Sequence, residues 1–200
     1  MLGLPKSTEL SKQLPKKAIY EKFNMNTAAK EKFDADISRI NIVAEISQGT
    51  VNITNGENVS VIYVLQVILK HKEFEEKTIS QISKLIDQNM LLVLDCDDER
   101  KLAIHHTKLL QTDWKASDDC SVALTGLNLD TVWENLITQV GSIEIEQGHS
   151  LDEQIAADEQ KAKLEKEIAR LEKQARNEKQ PKKKFELVEQ IKKLRNGTAN

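Results

Sequence analysis

A mixed α/β body followed by a C-terminal coiled-coil-like helical hairpin is the fold class the sequence predicts, on three observations. Val59 to Lys70 is a nearly continuous run of Val, Ile, Leu and Tyr, which marks a strand buried on both faces and covered by helices above and below. Along the first 148 residues the apolar spacing alternates between the three-and-four step of helices and the two-step of strands. After Gly148 the composition turns to Glu, Lys, Ala, Gln and Leu, with no aromatic residue until Phe185. The chain therefore divides into an α/β body, 1–148, and a charged helical tail, 149–200.

Taken in order, Leu4-Pro5-Lys6-Ser7 and Leu14-Pro15-Lys16-Lys17 each place a proline at or before the first turn of a short helix, and Tyr20, Phe23 and Met25 supply side chains to bury. Asn26 is a good N-cap, and Ala29, Phe33, Ile37 and Ile40 give Thr27 to Ile40 one buried helical face. Ile40, Ile42 and Ala44 then start a strand. Val51 and Ile53 form another after a Gln48-Gly49 turn, and Asn55-Gly56 supplies a hairpin signal before the Val59–Lys70 strand. Phe74, Ile79, Ile82, Leu85 and Ile86 predict a helix across Glu75 to Gln88. Met90 to Leu94 and Lys101 to Leu110 read as strands around a polar Asp95–Glu99 turn, with a third short strand over Ser121 to Leu124. Leu129 to Val140 is a helix that Gly141 ends. In the tail, Leu164, Ile168, Leu171 and Ala175 repeat at four, three and four, the seam of a coiled coil, and Pro181 ends that helix. Phe185, Val188, Ile191 and Leu194 then share one face of a second helix over Lys183–Arg195, so the tail folds back as a hairpin.

Composition restricts function. The chain carries a net charge of −3; from Ser150 onward 13 Lys and Arg stand against 10 Asp and Glu, so the tail is +3 and the body −6. Neither value by itself announces nucleic-acid binding. No apolar run is long enough to span a bilayer and no signal-peptide core is present, which predicts a cytoplasmic protein without a membrane partner. Cys96 and Cys120 lack companions and read as reduced thiols, and the sequons at Asn52, Asn58 and Asn196 carry no meaning without secretion.

The chemistry-bearing residues form no complete centre. His71, His105, His106 and His149 never take the i, i+4 spacing of a helical metal pair, and no Walker loop, dinucleotide turn or nucleophile elbow occurs, so no cofactor and no metal are expected. Asp95, Asp97, Asp98 and Glu99 lack the glycine and final glutamate of a calcium loop and read as a solvated turn. The order helix, strand, strand, strand, helix, strand over Thr27–Leu94 is that of the PD-(D/E)xK nuclease core, in which an acid two residues before a lysine holds a metal. Lys70 matches the lysine, but the acid position is Ile68, and Glu45 on the preceding strands could replace the lost ligand only with special geometry; a strand-ending lysine that reaches for water is the plain reading, and a degenerate core is the other. Lys6, Lys12, Lys16, Lys17 and Lys22, with Tyr20 and Phe23 among them, are the candidate DNA contacts, and Lys30, Lys32 and the Lys179, Lys182, Lys183, Lys184 cluster add charge. A solvated helix face explains the same lysines. Leu164, Ile168, Leu171, Phe185, Val188 and Ile191 are the candidate partner-binding residues.

The segments Leu4-Pro-Lys-Ser-Thr-Glu, Leu14-Pro-Lys-Lys-Ala-Ile-Tyr, Gly126-Leu-Asn-Leu-Asp-Thr-Val-Trp-Glu-Asn and Leu164-Glu-Lys-Glu-Ile-Ala-Arg-Leu-Glu-Lys-Gln resemble the bacterial domain-of-unknown-function family 4391, essentially from end to end. The family has no assigned activity. Its members often sit beside helicases and DNA methyltransferases in restriction-like or anti-phage defence clusters, which implies a non-catalytic accessory or adaptor subunit. Some relatives carry an acid at the position of Ile68. Two alternatives stay open: a metal-dependent nuclease with a displaced acidic ligand, and a self-associating structural protein that forms a homo-oligomer.

Overall fold

The computed structural model describes residues 2–197, with side chains as far as Arg195. They form two compact units, and the break follows Ile143. The first unit is built on a mixed sheet. After a turn of 3-10 helix at Lys6–Thr8 come β1 (Glu9–Leu14), α1 (Lys16–Lys22), α2 (Thr27–Asp36), β2 (Ile37–Ser47), the one-turn α3 (Gln48–Val51) and β3 (Val61–Leu69). Then follow α4 (Glu76–Ile82), β4 (Asn89–Cys96), β5 (Glu99–His105), β6 (Leu109–Gln111), β7 (Lys115–Ala116) and α5 (Leu129–Gly141). The strands lie in the order β1-β2-β3-β4-β5-β6, with β7 also on β5. Every pairing is antiparallel except β3 with β4, which the crossover through α4 makes parallel.

Alternation along the strands builds two cores. Ile40 and Ile42 on β2, Leu65 and Val67 on β3, and Leu92 and Leu94 on β4 pack with Ile19 of α1, Phe33 of α2, and Ile79 and Ile82 of α4. A bulge between Ile42 and Ala44 exchanges the faces of β2, so Ala44 and Ile46 point to the other side, in register with buried Val64 and Ile62. There α5 buries Leu129, Val132, Trp133, Leu136, Ile137 and Val140, and its Gly141 lies against Leu110 of β6. Two-sided burial of β3, expected from its continuous apolar run, is thus found.

Several local expectations are corrected by tertiary pairing. The helix over Thr27–Ile40 ends at Asp36, because Ile37 pairs with Leu69 and the next three residues continue as strand; β-branched Ile37 and Ile40 satisfy the strand as well as the helix. Residues 48–51 are helical instead of a turn into a strand, and Thr50 Oγ1 ties the segment by accepting from Ser47 N at 2.9 Å and donating to Glu45 O at 2.9 Å. Asn55-Gly56 makes no hairpin. Gly56 N bonds Val59 O, and the next three amides turn to the carboxylate of Asp130: Glu57 N at 2.8 Å, Asn58 N at 3.1 Å and Val59 N at 2.7 Å. The helix expected to reach Gln88 stops at Ile82, where Ser83 Oγ bonds Ser80 O at 2.8 Å and diverts the chain into turns. The expected Lys101–Leu110 strand is a hairpin of β5 and β6. Residues 121–124 are not a strand, since the Gln139 side chain of α5 takes both the N–H and the C=O of Ala123. Only two strands therefore lie between α2 and α4, and the strand beside β2 is β1, from before the helices, so the αβββαβ chain order expected over Thr27–Leu94 is absent.

The second unit is a helical hairpin. α6 (Leu151–Asn177) opens on a capping box in which Ser150 N donates to Glu153 Oε2 at 2.8 Å and Glu153 N donates to Ser150 Oγ at 3.3 Å. α7 runs Pro181–Gly197, with the proline at its first position. Leu171, Ala175 and Ile191 are buried between the two helices, flanked by Ile168, Leu187 and Leu194. Arg195 Nη2 bonds Glu172 Oε1 at 2.6 Å across them.

Candidate functional site

The residues that alternate with the first core form a polar row on the other face of the sheet. Asn41 on β2 faces Gln66 on β3, and Asp95 on β4 faces Arg100 on β5. Asn41 Nδ2 donates to Gln66 Oε1 at 3.1 Å, and Gln66 Nε2 donates to Asp95 Oδ2 at 2.7 Å. Arg100 then closes the row: Nε donates to Asp95 Oδ1 at 2.6 Å, Nη2 to Asp95 Oδ2 at 3.1 Å, and Nη1 to Ser117 O at 3.2 Å. The Asp95 and Arg100 side chains are only 13% and 12% exposed. The hydrogen bonds and charge of Asp95 raise the affinity of the guanidinium for its protons. A carboxylate held by a two-toothed guanidinium and an amide donor has its charge neutralised and both oxygens occupied, which leaves little with which to grip a cation.

Ile68, at the acid position of the nuclease pattern, pairs directly with Asp95 across the parallel β3–β4 ladder, and Arg39 flanks it on β2. Lys70 lies just beyond β3, where its Nζ donates to Asp34 O at 2.5 Å and its N–H to Asp36 O at 2.8 Å. Glu45 pairs with Tyr63 near the start of β3, about 20 Å from Lys70 along the strand. The two residues named as an alternative catalytic pair are not brought together. Nor is the acidic turn a cluster: Asp95 is bound to Arg100, Glu99 forms an ion pair with Lys72, and Asp97 takes a left-handed turn conformation at φ 53°. Among the described residues no three His, Cys, Asp or Glu side chains converge as metal ligands.

The N-terminal lysines are largely occupied. Lys16 Nζ donates to Asp34 Oδ1 at 2.6 Å and to Ile37 O at 2.5 Å, Lys22 Nζ donates to Leu85 O at 2.6 Å, and Lys32 pairs with Glu75 at 2.7 Å. Tyr20 packs edge-on against Phe33 at 5.7 Å, and its hydroxyl donates to Asp34 Oδ1 at 2.6 Å. Burial, and then Asp34, push this phenol up to about 12. Asp34 is held below its ordinary range, first by the Lys16 hydrogen bond and then by that of Tyr20. Lys16 and Tyr20 thus join α1 to α2, while Lys6, Lys12 and Lys17 stay at the surface, the last 3.8 Å from Glu21.

In the hairpin, Leu171 and Ile191 are buried, Leu164 and Ile168 are half-buried, and Phe185 and Val188 are 66% and 37% exposed. Leu187, not Phe185 or Val188, completes the α7 side of the seam; the four-and-three step 187, 191, 194 marks it, as the same steps mark 164, 168 and 171 on α6. Sequence reasoning also passed over Asn41, Gln66, Asp95 with Arg100, and Asp130. Its available signal was two amide side chains inside apolar strands.

A family model described as Domain of unknown function (DUF4391) matches residues 2–197. No curated protein and no solved structure matches the chain.

Proposed function

The chain belongs to the family of Domain of unknown function (DUF4391) proteins, and from that membership we propose that it is a non-catalytic accessory subunit that binds a larger protein. The partner class is a helicase or DNA methyltransferase of a bacterial defence assembly, the setting implied by the family resemblance. The observation that carries the reading is the Asp95–Arg100 pair: the acid beside the nuclease-like position is occupied by a guanidinium, and Ile68 contributes hydrocarbon there. The hairpin offers exposed Phe185 and Val188 for association; Leu10, Leu127 and Ile145 are exposed elsewhere. Lys6 and Lys12 are exposed, Lys17 has only the surface contact with Glu21, and Lys30 lies over the Tyr20 ring; these are the lysines of the N-terminal group available to touch DNA.

The test has two arms. The full chain, incubated with supercoiled plasmid and Mg²⁺ or Mn²⁺, should leave the plasmid intact, and Lys70→Ala should behave identically. Co-expressed with the helicase or methyltransferase encoded beside it, the wild-type chain should be retained on the tagged partner, while Leu171→Asp/Ile191→Asp, which opens the hairpin, should not. Cleavage that needs Lys70, or no retention of the wild-type chain, would refute the reading.

A second reading, a nuclease with a displaced ligand, has one observation in its favour: β3 and β4 are parallel neighbours that set position 68 beside a carboxylate. It requires Arg100 to release Asp95 when metal arrives. Among the described residues, no helix is long and apolar enough to cross a membrane.

A further inference from the structure

We propose that the outer face of α7 is a docking surface for an acidic amphipathic helix of the partner protein, an inference that rests on the accessory-subunit reading and specifies its contact. At 100° per residue, Leu187, Ile191 and Leu194 define the face of α7 turned to α6, and Phe185 and Val188 fall on the opposite half. Both are exposed, Phe185 at 66% and Val188 at 37%, whereas on the seam Ile191 is buried and Leu187 and Leu194 are half-buried. Their i, i+3 spacing is the one with which a helix meets another helix.

Charge identifies the occupant. α7 carries six Lys and Arg against two Glu, whereas α6 carries six against seven Asp and Glu, so the positive excess of the hairpin lies on α7. On the wheel, Lys182 borders Phe185, Lys184 and Lys192 border Val188, Lys193 lies farther round, and Glu189, 3.5 Å from Lys192, is the acid among them. Among the described residues, Lys192 is thus paired with Glu189, and no ion pair engages Lys182, Lys184 or Lys193. An apolar pair inside a cationic rim matches a helix with a Leu stripe bordered by Glu. A DNA backbone would satisfy the lysines but offers nothing apolar to cover Val188. An anionic bilayer would gain little from two side chains of this size.

The probe is a fluorescein-labelled 18-residue helical peptide with Leu on one face and Glu on the other, titrated against the full chain. The controls are its Lys counterpart, a 20-base-pair duplex and phosphatidylserine vesicles. The acidic peptide should bind, weaken with salt, and lose at least tenfold in affinity with Phe185→Ser; Lys184→Glu/Lys192→Glu should favour the Lys peptide instead. Far-UV circular dichroism should match wild type in both variants, since neither touches the α6–α7 seam. Equal binding of both peptides, no effect of either variant, or binding to duplex or vesicles alone would overturn the proposal. Retention of Phe185→Ser on the co-expressed partner at wild-type level would sink this contact while leaving the accessory role standing; loss of wild-type retention would instead remove the role itself.

Discussion

Replacing Arg100 by Gln probes the central observation directly. The guanidinium supplies two of the three side-chain hydrogen bonds to Asp95, at 2.6 and 3.1 Å, and the remaining one comes from Gln66 at 2.7 Å. With both partners about seven-eighths buried, removing one strands a carboxylate at the sheet surface, a loss that costs several kcal/mol at full burial. Water reaching the rim reduces this, so about 3 kcal/mol is expected. Urea unfolding followed by tryptophan fluorescence should show a midpoint lower by roughly 1.5 M, taking a slope of about 2 kcal/mol/M. Asp95→Asn placed in the Arg100→Gln background should recover about 2 kcal/mol, because a neutral amide needs no counter-charge; the cycle isolates the pair. A loss below about 1 kcal/mol, the range of exposed ion pairs, would refute the reasoning. So would a double variant as unstable as the sum of the single ones.

Three further outcomes follow from the same geometry. Ile68→Asp combined with Arg100→Gln sets two carboxylates about 5 Å apart on adjacent strands, so Mn²⁺ should raise its melting temperature and leave that of wild type unchanged; equal shifts would contradict the placement of position 68. Of the two tyrosines, Tyr20 and Tyr63, Tyr20 should ionise at about 12 when followed by absorbance at 295 nm. Since folding raises this pKa, the associated stability is present below pH ~10 and is lost as pH climbs through the folded value; Asp34, whose pKa folding depresses, contributes above the ordinary carboxylate range and loses that contribution on acidification, a limb that Asp34→Asn should flatten. Asp130→Ala frees the amides of residues 57–59 and should cost about 2 kcal/mol, and Gly56→Ala, whose Cβ would stand 2.2 Å from Asp130 Cγ, should disturb the same contact, so that the two losses combine to less than their sum in urea melts.

The sequence by itself determined the elements whose periodicity is long and unmixed. The apolar run of β3, the six buried positions of α5 and the repeat of α6 each identify one structure, because one face after another must leave water whatever surrounds it. Family membership was readable as well, from a resemblance of whole segments, and the family model matches residues 2–197. Tertiary structure decided the ambiguous pieces. Ile37 and Ile40 fit helix or strand, and pairing with β3 chose. Asn55-Gly56 favours a hairpin locally, yet a carboxylate 75 residues later captures its neighbouring amides. Phe185 and Leu187 could each have faced α6; packing took Leu187 and left Phe185 in solvent. The polar row was legible only in part: Asp95 and Arg100 face each other locally across the tight β4–β5 turn, but Asn41 and Gln66 join them only when β2, β3 and β4 align in register, which nothing local specifies.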